Sequence, residues 1–186
     1  MMYYGAKELA FSFRQVRNNT IQIAEEIPEA KYSFTAAPDT RSVGHLLTHI
    51  ALAPGIQLHI NRSKIADLKN LNFPEMVQKA AAEEAKPRTK AEIVALLKSE
   101  GEQVASYLES LSDEFLAEPV TMPAGMQPAT KTRFEMLMSM KEHEMHHRGQ
   151  LMLVQRMLGL IPHLTRQMHE RFAARAAAAA AVPHAR

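Results

Sequence analysis

Apolar positions recur along this chain every three to four residues, and strict apolar/polar alternation is nearly absent. The pattern predicts an all-α domain built as a helical bundle. Leu9, Phe13, Val16, Thr20, Ile23 and Ile27 form one stripe of a first helix over about Ala6 to Ile27, which Pro28 ends. A second helix starts near Arg41, after the turn Ala37-Pro38-Asp39-Thr40, and turns Val43, Leu46, Leu47 and Ile50 inward. Pro54 is expected to kink or restart it. Between Arg62 and Lys86 the pattern supports a short helix opening at Pro74 and ending before Pro87.

Thr89 and Glu92 stand at capping-box spacing ahead of Ile93, Leu96, Leu97, Val104, Leu108 and Leu111. Thr132 and Glu135 repeat that spacing at the head of a further helix, for which Gly159 and Pro162 mark the stop. The stretch Ser112 to Thr130 between these helices carries Pro and Gly and no convincing strand. A connection that long is expected to be mobile or to line a site. A last amphipathic segment from about Thr165 runs into Ala176 to Ala181 and Val182-Pro183, where helix propensity is high but outer turns have little to pack against. The expected organisation is a bundle over residues 1–163, then a C-terminal helix and alanine-rich, partly disordered tail over residues 164–186.

Composition narrows the classes. With 186 residues, 46% apolar and 23% charged, the chain suits one domain with a sizeable core. The net charge of +2 is small and the basic residues are scattered, so nucleic-acid binding is not expected despite an isoelectric point of about 8.9. The absence of cysteine excludes disulfides, thiolate ligands and a cysteine nucleophile, leaving any metal to nitrogen and oxygen. Met1 to Ala10 lacks the basic start and apolar core of a signal peptide, and no apolar run approaches the ~20 residues that span a bilayer. A cytoplasmic protein without membrane association is the expectation.

The candidate chemistry lies in His143-Glu144-Met145-His146-His147-Arg148-Gly149-Gln150. At 100° per residue, Leu137, Met140, Leu151, Val154 and Leu158 define the buried stripe; His147 falls inside it, His143 lies at its edge, Glu144 sits near its centre and His146 points nearly opposite. Histidines four apart project from one face, where both imidazoles can reach one divalent metal. A glutamate on the most apolar line of a helix is costly unless it is paired, hydrogen-bonded or near a metal, so its position beside two inward histidines favours a site over a pair of core residues. The second helix offers His45 and His49. His49 flanks the apolar stripe whereas His45 points further toward solvent, which makes His49 the better third ligand. Three neutral imidazoles from facing helices leave a metal with an open position, as catalytic sites do.

The same string reads His-Glu-x-x-His, the signature of zinc metallopeptidases, in which the glutamate is the general base. No strand is available to align a peptide, and no zincin-like second motif surrounds His163 or His169 downstream. The match is therefore read as largely accidental.

Phe34, Arg41-Ser42-Val43-Gly44, Leu46-Leu47-Thr48-His49-Ile50-Ala51 and, much later, His143 through Leu151 together resemble the DinB/YfiT-like family of bacterial proteins, over roughly Ala6 to Pro162. The resemblance implies an up-down four-helix bundle of the DinB/YfiT type, here with a short additional C-terminal helix, commonly dimeric, with a divalent metal on positions matching His49, His143 and His147. Family members include metal-dependent hydrolases and S-transferases that use low-molecular-weight thiols, and the substrate does not transfer from one member to another. The alanine-rich C-terminus, His45 and His146 are additions to the family pattern.

The expectation is a homodimeric metalloenzyme with a small-molecule substrate and zinc or nickel, iron and manganese also fitting such ligands. The metal would activate either water, with Glu144 taking the proton or orienting the nucleophile, or the sulfur of a thiol cosubstrate. Arg148 would pair with a ligand carboxylate or donate a structural hydrogen bond, Gly149 would permit close helix contact, Gln150 would order a ligand or face solvent, His59 would lie at the surface, and the twelve methionines would mainly fill the core. The competing class is a metal-binding or dimeric interaction protein with a structural metal site, which requires a fourth protein ligand from His45 or His146.

Overall fold

A computed structural model describes residues 4–180, with eight helices and one small hairpin among them. Helix α1 (Ala6–Glu26) ends before Pro28, followed by a 3-10 turn at Glu29–Lys31. Helix α2 (Val43–Leu52) is capped by the Ser42 hydroxyl, which accepts from the His45 N–H, and Pro54 opens α3 (Pro54–Arg62) as the restart its position implied. Helix α4 (Phe73–Glu84) carries Pro74 in its first turn, where the missing N–H costs nothing. Both expected capping boxes form, Thr89–Glu92 on α5 (Lys90–Glu109) and Thr132–Glu135 on α7 (Arg133–Met157).

Gly159 adopts φ +79 after α7, and the Leu160 and Gly159 N–H groups donate back to the carbonyls of Gln155 and Arg156. This left-handed closure satisfies the last carbonyls of the helix and explains why it stops there. Helix α8 (His163–Ala180) follows. Residues 171–179 are exposed, and the end of the alanine tract from residue 181 lies outside the described residues.

The stretch from Ser112 to Thr130 corrects the reading that it holds no strand. It folds as helix α6 (Asp113–Ala117) and strand β1 (Pro119–Thr121), which pairs antiparallel with β2 (Thr130–Thr132). Leu116, Val120 and Met122 are buried, and Thr121 bridges to Asp67, so the segment caps one side of the core rather than lining the histidine site. Strands of three residues are too short to display a period of two.

Helix α1 packs against α5 and α7, and α2 packs against the same two, so α1 and α2 lie across a diagonal of a four-helix bundle whose second member continues through α3. Two apolar clusters fill its ends. Leu9, Phe13, Leu58, Val104, Leu108 and Leu137 occupy one; Ile23, Ile27, Leu47, Ile50, Leu97 and Leu151 occupy the other. Each fully buried Leu, Ile or Phe contributes about 1.5–3 kcal/mol. The clusters also fix direction, since α1 and α7 run from the first to the second whereas α2–α3 and α5 run back. The third bundle helix repeats the direction of the second because α4 returns the chain to the starting end.

Between the two clusters, at mid-height, the apolar register is interrupted on three helices at once. Arg17 on α1, Gly101 on α5 and Glu144 with His147 on α7 are all buried there. The functional candidates sit in this polar layer.

Candidate metal centre

The layer begins with a buried ion pair. The Arg17 Nε donates to both Glu144 oxygens at 3.0 Å, and Nη2 lies 2.9 Å from Oε2. The same guanidinium donates from Nη1 to the Leu97 carbonyl at 2.9 Å and from Nη2 to the Ile50 carbonyl at 3.1 Å. One side chain therefore ties α1 to α2, α5 and α7. Room for it comes from Gly101: a Cβ there would sit 2.6 Å from the Arg17 Cγ. The position of Glu144 on the most apolar line of α7 is thus explained by an arginine partner. Sequence reasoning missed Arg17 although it lies four residues after Phe13 and three before Thr20, on the stripe itself, because a stripe is read from its apolar members.

His49, His143 and His147 come together beside this pair, each offering a ring nitrogen within 4.8 Å of the others. The His143 Nε2 is 3.2 Å from the His49 Nε2 and 3.1 Å from the His147 Nε2. The outer nitrogens have been claimed. His49 Nδ1 lies 2.8 Å from a Glu84 oxygen, and His147 Nδ1 lies 2.7 Å from the Gln150 Oε1. Both partners are acceptors, so each Nδ1 carries the proton and each Nε2 turns a lone pair toward the common point. Metal-binding histidines are held in this manner. Ligands at 2.0–2.1 Å from a tetrahedral ion stand about 3.3 Å apart, close to the spacing found here. The three residues fit a divalent ion.

Burial, followed by repulsion from His147 and His49, pushes the His143 imidazole down to about 4, and burial likewise lowers His147. Both are neutral near pH 7, the form in which a histidine can ligate.

Among the described residues the other histidines stay out. His45 is 43% exposed, with Nε2 3.8 Å from Glu84, and His146 is exposed and accepts from the Gln150 amide. His59 is exposed as expected, and His163 is buried where the start of α8 meets α1, with its Nε2 against the Asn19 Oδ1 at 3.1 Å. Among the described residues no fourth His, Cys, Asp or Glu joins the group. Glu84 was not singled out from the sequence; it lies 35 residues from His49 on a largely polar helix, and only the return path of α4 brings it to the site. Gln150 faces His147 rather than solvent alone.

Two clefts flank the triad. One opens beside His143 and is walled by Ile50, Pro54, Ile56 and Met140 with the polar Gln57 and Ser139. The other opens beside His147 and Gln150, with Arg41, Thr40 and Leu46.

Comparison with known proteins places this architecture. The sequence model of the DinB superfamily matches residues 12–151, three quarters of the chain and every residue of the triad. The chain belongs to the DinB superfamily. Within it, YjoA of Bacillus subtilis, an uncharacterized protein, is 24% identical over 154 residues, covering 83% of this chain and 91% of the relative. The crystal structure of that DinB-like protein superposes with a TM-score of 0.61 at 22% identity, covering 82% of this chain and 92% of that one. A DinB-like protein from Bacillus cereus superposes with a TM-score of 0.64 at 19% identity over 87% and 97% of the two chains. YfiT from Bacillus subtilis, described as a probable metal-dependent hydrolase with an unusual four-helix bundle topology, gives 0.66 at 13% identity over 86% and 91%. At these identities the structural likeness speaks for the DinB fold.

Among the described residues no helix is long and apolar enough to cross a membrane. The methionines divide: Met136 and Met140 are buried, whereas Met145 and Met157 are exposed. Gly149 is exposed, and a Cβ there would meet nothing within 4 Å, so the close helix contact expected of it is not made among the described residues. Arg148 is half-buried, and burial pushes its guanidinium below the ordinary value against the attraction of Glu144.

Proposed function

We propose that this DinB-superfamily chain is a metal-dependent enzyme acting on a small molecule, with a divalent ion held by His49, His143 and His147. The observation that carries the reading is the convergence of three Nε2 atoms whose opposite nitrogens are fixed by Glu84 and Gln150. The nitrogen donor set suits zinc or nickel, and iron or manganese less well. An ion bound there supplies Lewis acidity, which makes water or a thiol more acidic. Three protein ligands leave a position open, and the two clefts give it access from both sides.

The reaction class is hydrolysis or transfer to the sulfur of a low-molecular-weight thiol cosubstrate. Glu84 and Gln150 orient the imidazoles. Glu144 serves in holding α7 to Arg17: the engagement of both its oxygens by the guanidinium favours a positioning role over taking a proton or orienting the nucleophile. The clefts bind and orient substrate, the apolar walls around Ile50 and Met140 on one side and Arg41 on the other. We propose further that the protein is a cytoplasmic homodimer, supported by the exposed ridge Met145, Leu153 and Met157 with Gly149 among them on α7, and that residues 1–163 form the bundle to which residues 164–186 are appended.

The test is turnover by zinc- and nickel-loaded protein on a panel of simple esters and amides, and on electrophiles offered with thiols. Activity that chelation removes and metal restores supports the reading. Metal-loaded protein whose turnover is unchanged by chelation or by His143→Ala contradicts it.

A further inference from the structure

Around α7, at 100° per residue, His143, His147 and Gln150 share one face, Met140, Glu144 and Leu151 form the core line, and Lys141, Met145 and Arg148 share a third face. That third face borders a cleft between α1, α7 and α8, separate from both clefts at the triad. Its cavity of about 560 Å³ has the size of a small-ligand site.

The cleft holds three cations, Lys141, Arg148 and Arg171, and no carboxylate. Gln15, Asn18 and Gln167 add neutral amides. Among the described residues Lys141 meets only neutral oxygens, its Nζ donating to Ser12 Oγ at 3.3 Å and Tyr4 OH at 3.4 Å. Arg148 is half-buried and, among the described residues, makes no hydrogen bond and no ion pair. The nearby Glu144 attracts it without a hydrogen bond or an ion pair, and both Glu144 oxygens are already bound by Arg17. A guanidinium partly withdrawn from water with its donors unmatched is unfavourable, and two more cations beside it raise that cost. An oxyanion would satisfy all three, since the planar fork of arginine matches phosphate or carboxylate with two parallel hydrogen bonds.

We propose that the cleft between α1, α7 and α8 binds a small oxyanion, the phosphate or carboxylate group of a small molecule, with Arg148 as the bidentate contact and Lys141 and Arg171 flanking it. The site is distinct from the histidine centre, and the core line of α7 lies between them. It does not depend on the metal reading, because none of its residues is a candidate ligand.

The experiment follows the side-chain Nε–Hε signals of protein labelled with 15N-arginine while inorganic phosphate, and separately acetate, is added, with and without chelator. The expected result is a saturable shift of the Arg148 signal that is the same with chelator, with phosphate favoured if the natural ligand is a phosphate and acetate if it is a carboxylate. Followed on the Arg171 signal, as for every Arg148 variant, Arg148→Gln should weaken the apparent affinity about tenfold or more. Arg171→Gln, at an exposed position that cannot threaten folding, should weaken it severalfold. The proposal is overturned if the Arg148 signal does not saturate, if chelator abolishes the shift, if Arg41 responds as strongly as Arg148, or if Arg171→Gln and Arg148→Lys leave the affinity unchanged.

Discussion

Arg17 holds both carboxylate oxygens of Glu144 at 3.0 Å across 127 residues of sequence, in a layer where neither side chain is more than 3% exposed. Breaking one half of such a pair strands the other charge in the core. Glu144→Ala is expected to lower stability by about 3–5 kcal/mol in urea unfolding, whereas Arg17→Met combined with Glu144→Leu should recover most of the loss. A Glu144→Ala protein as stable as the parent would remove the positioning role and return Glu144 to the list of candidate bases.

Gly101 exists to admit that arginine. Gly101→Ala places a Cβ 2.6 Å from the Arg17 Cγ, a part of the side chain pinned by the hydrogen bonds at its far end. The expected loss is about 1–3 kcal/mol by chemical denaturation, shrinking in an Arg17→Met background because the two positions share one space. Equal losses in the two backgrounds would mean that alanine acts elsewhere.

The acceptors behind the histidines should matter without ligating. Glu84→Ala and Gln150→Ala are each expected to weaken zinc or nickel affinity about 10- to 100-fold, measured by competition with a chromophoric chelator, with helical circular dichroism unchanged. Glu84→Gln, which keeps an acceptor oxygen, should weaken it less. Affinities that do not move would dissociate these contacts from metal binding.

Acid should loosen α8. Burial raises Glu26, but hydrogen bonds from Arg166 and Gln22 outweigh it and hold the carboxyl below 4.5 in the folded protein. A depressed folded value means that its stabilisation is present above about pH 4.5 and is lost as pH falls through the folded value. The pair is partly exposed, so the effect is modest. Pepsin cleavage within α8 should accelerate as pH drops from 4.5 to 3, and less so in Glu26→Gln. Cleavage rates that change equally in both proteins would sever the link to Glu26.

The helices were legible because their ends are written in local chemistry: Thr89–Glu92 and Thr132–Glu135 start them, and Pro28 and Gly159 stop them. The convergence of the three histidines was legible because a spacing of four puts His143 and His147 on one face of α7, and because His49 flanks the apolar stripe of α2 whereas His45 does not. Arg17 and Glu84 were not, for a common reason. Each is a charged residue whose partner lies far along the chain, and nothing within a few residues of either shows that it is paired. The hairpin of β1 and β2 escaped because three-residue strands draw their stability from packing rather than from a periodic pattern.

The central claim is that three imidazoles form one metal site. Isothermal titration of chelator-treated protein with zinc, and in parallel with nickel, measures it directly in the parent and in His49→Ala, His143→Ala and His147→Ala. The account predicts about one equivalent per chain in the parent and loss of that binding in each variant, with His45→Ala and His146→Ala retaining it. Full binding in any of the three triad variants, or none in the parent, would contradict it.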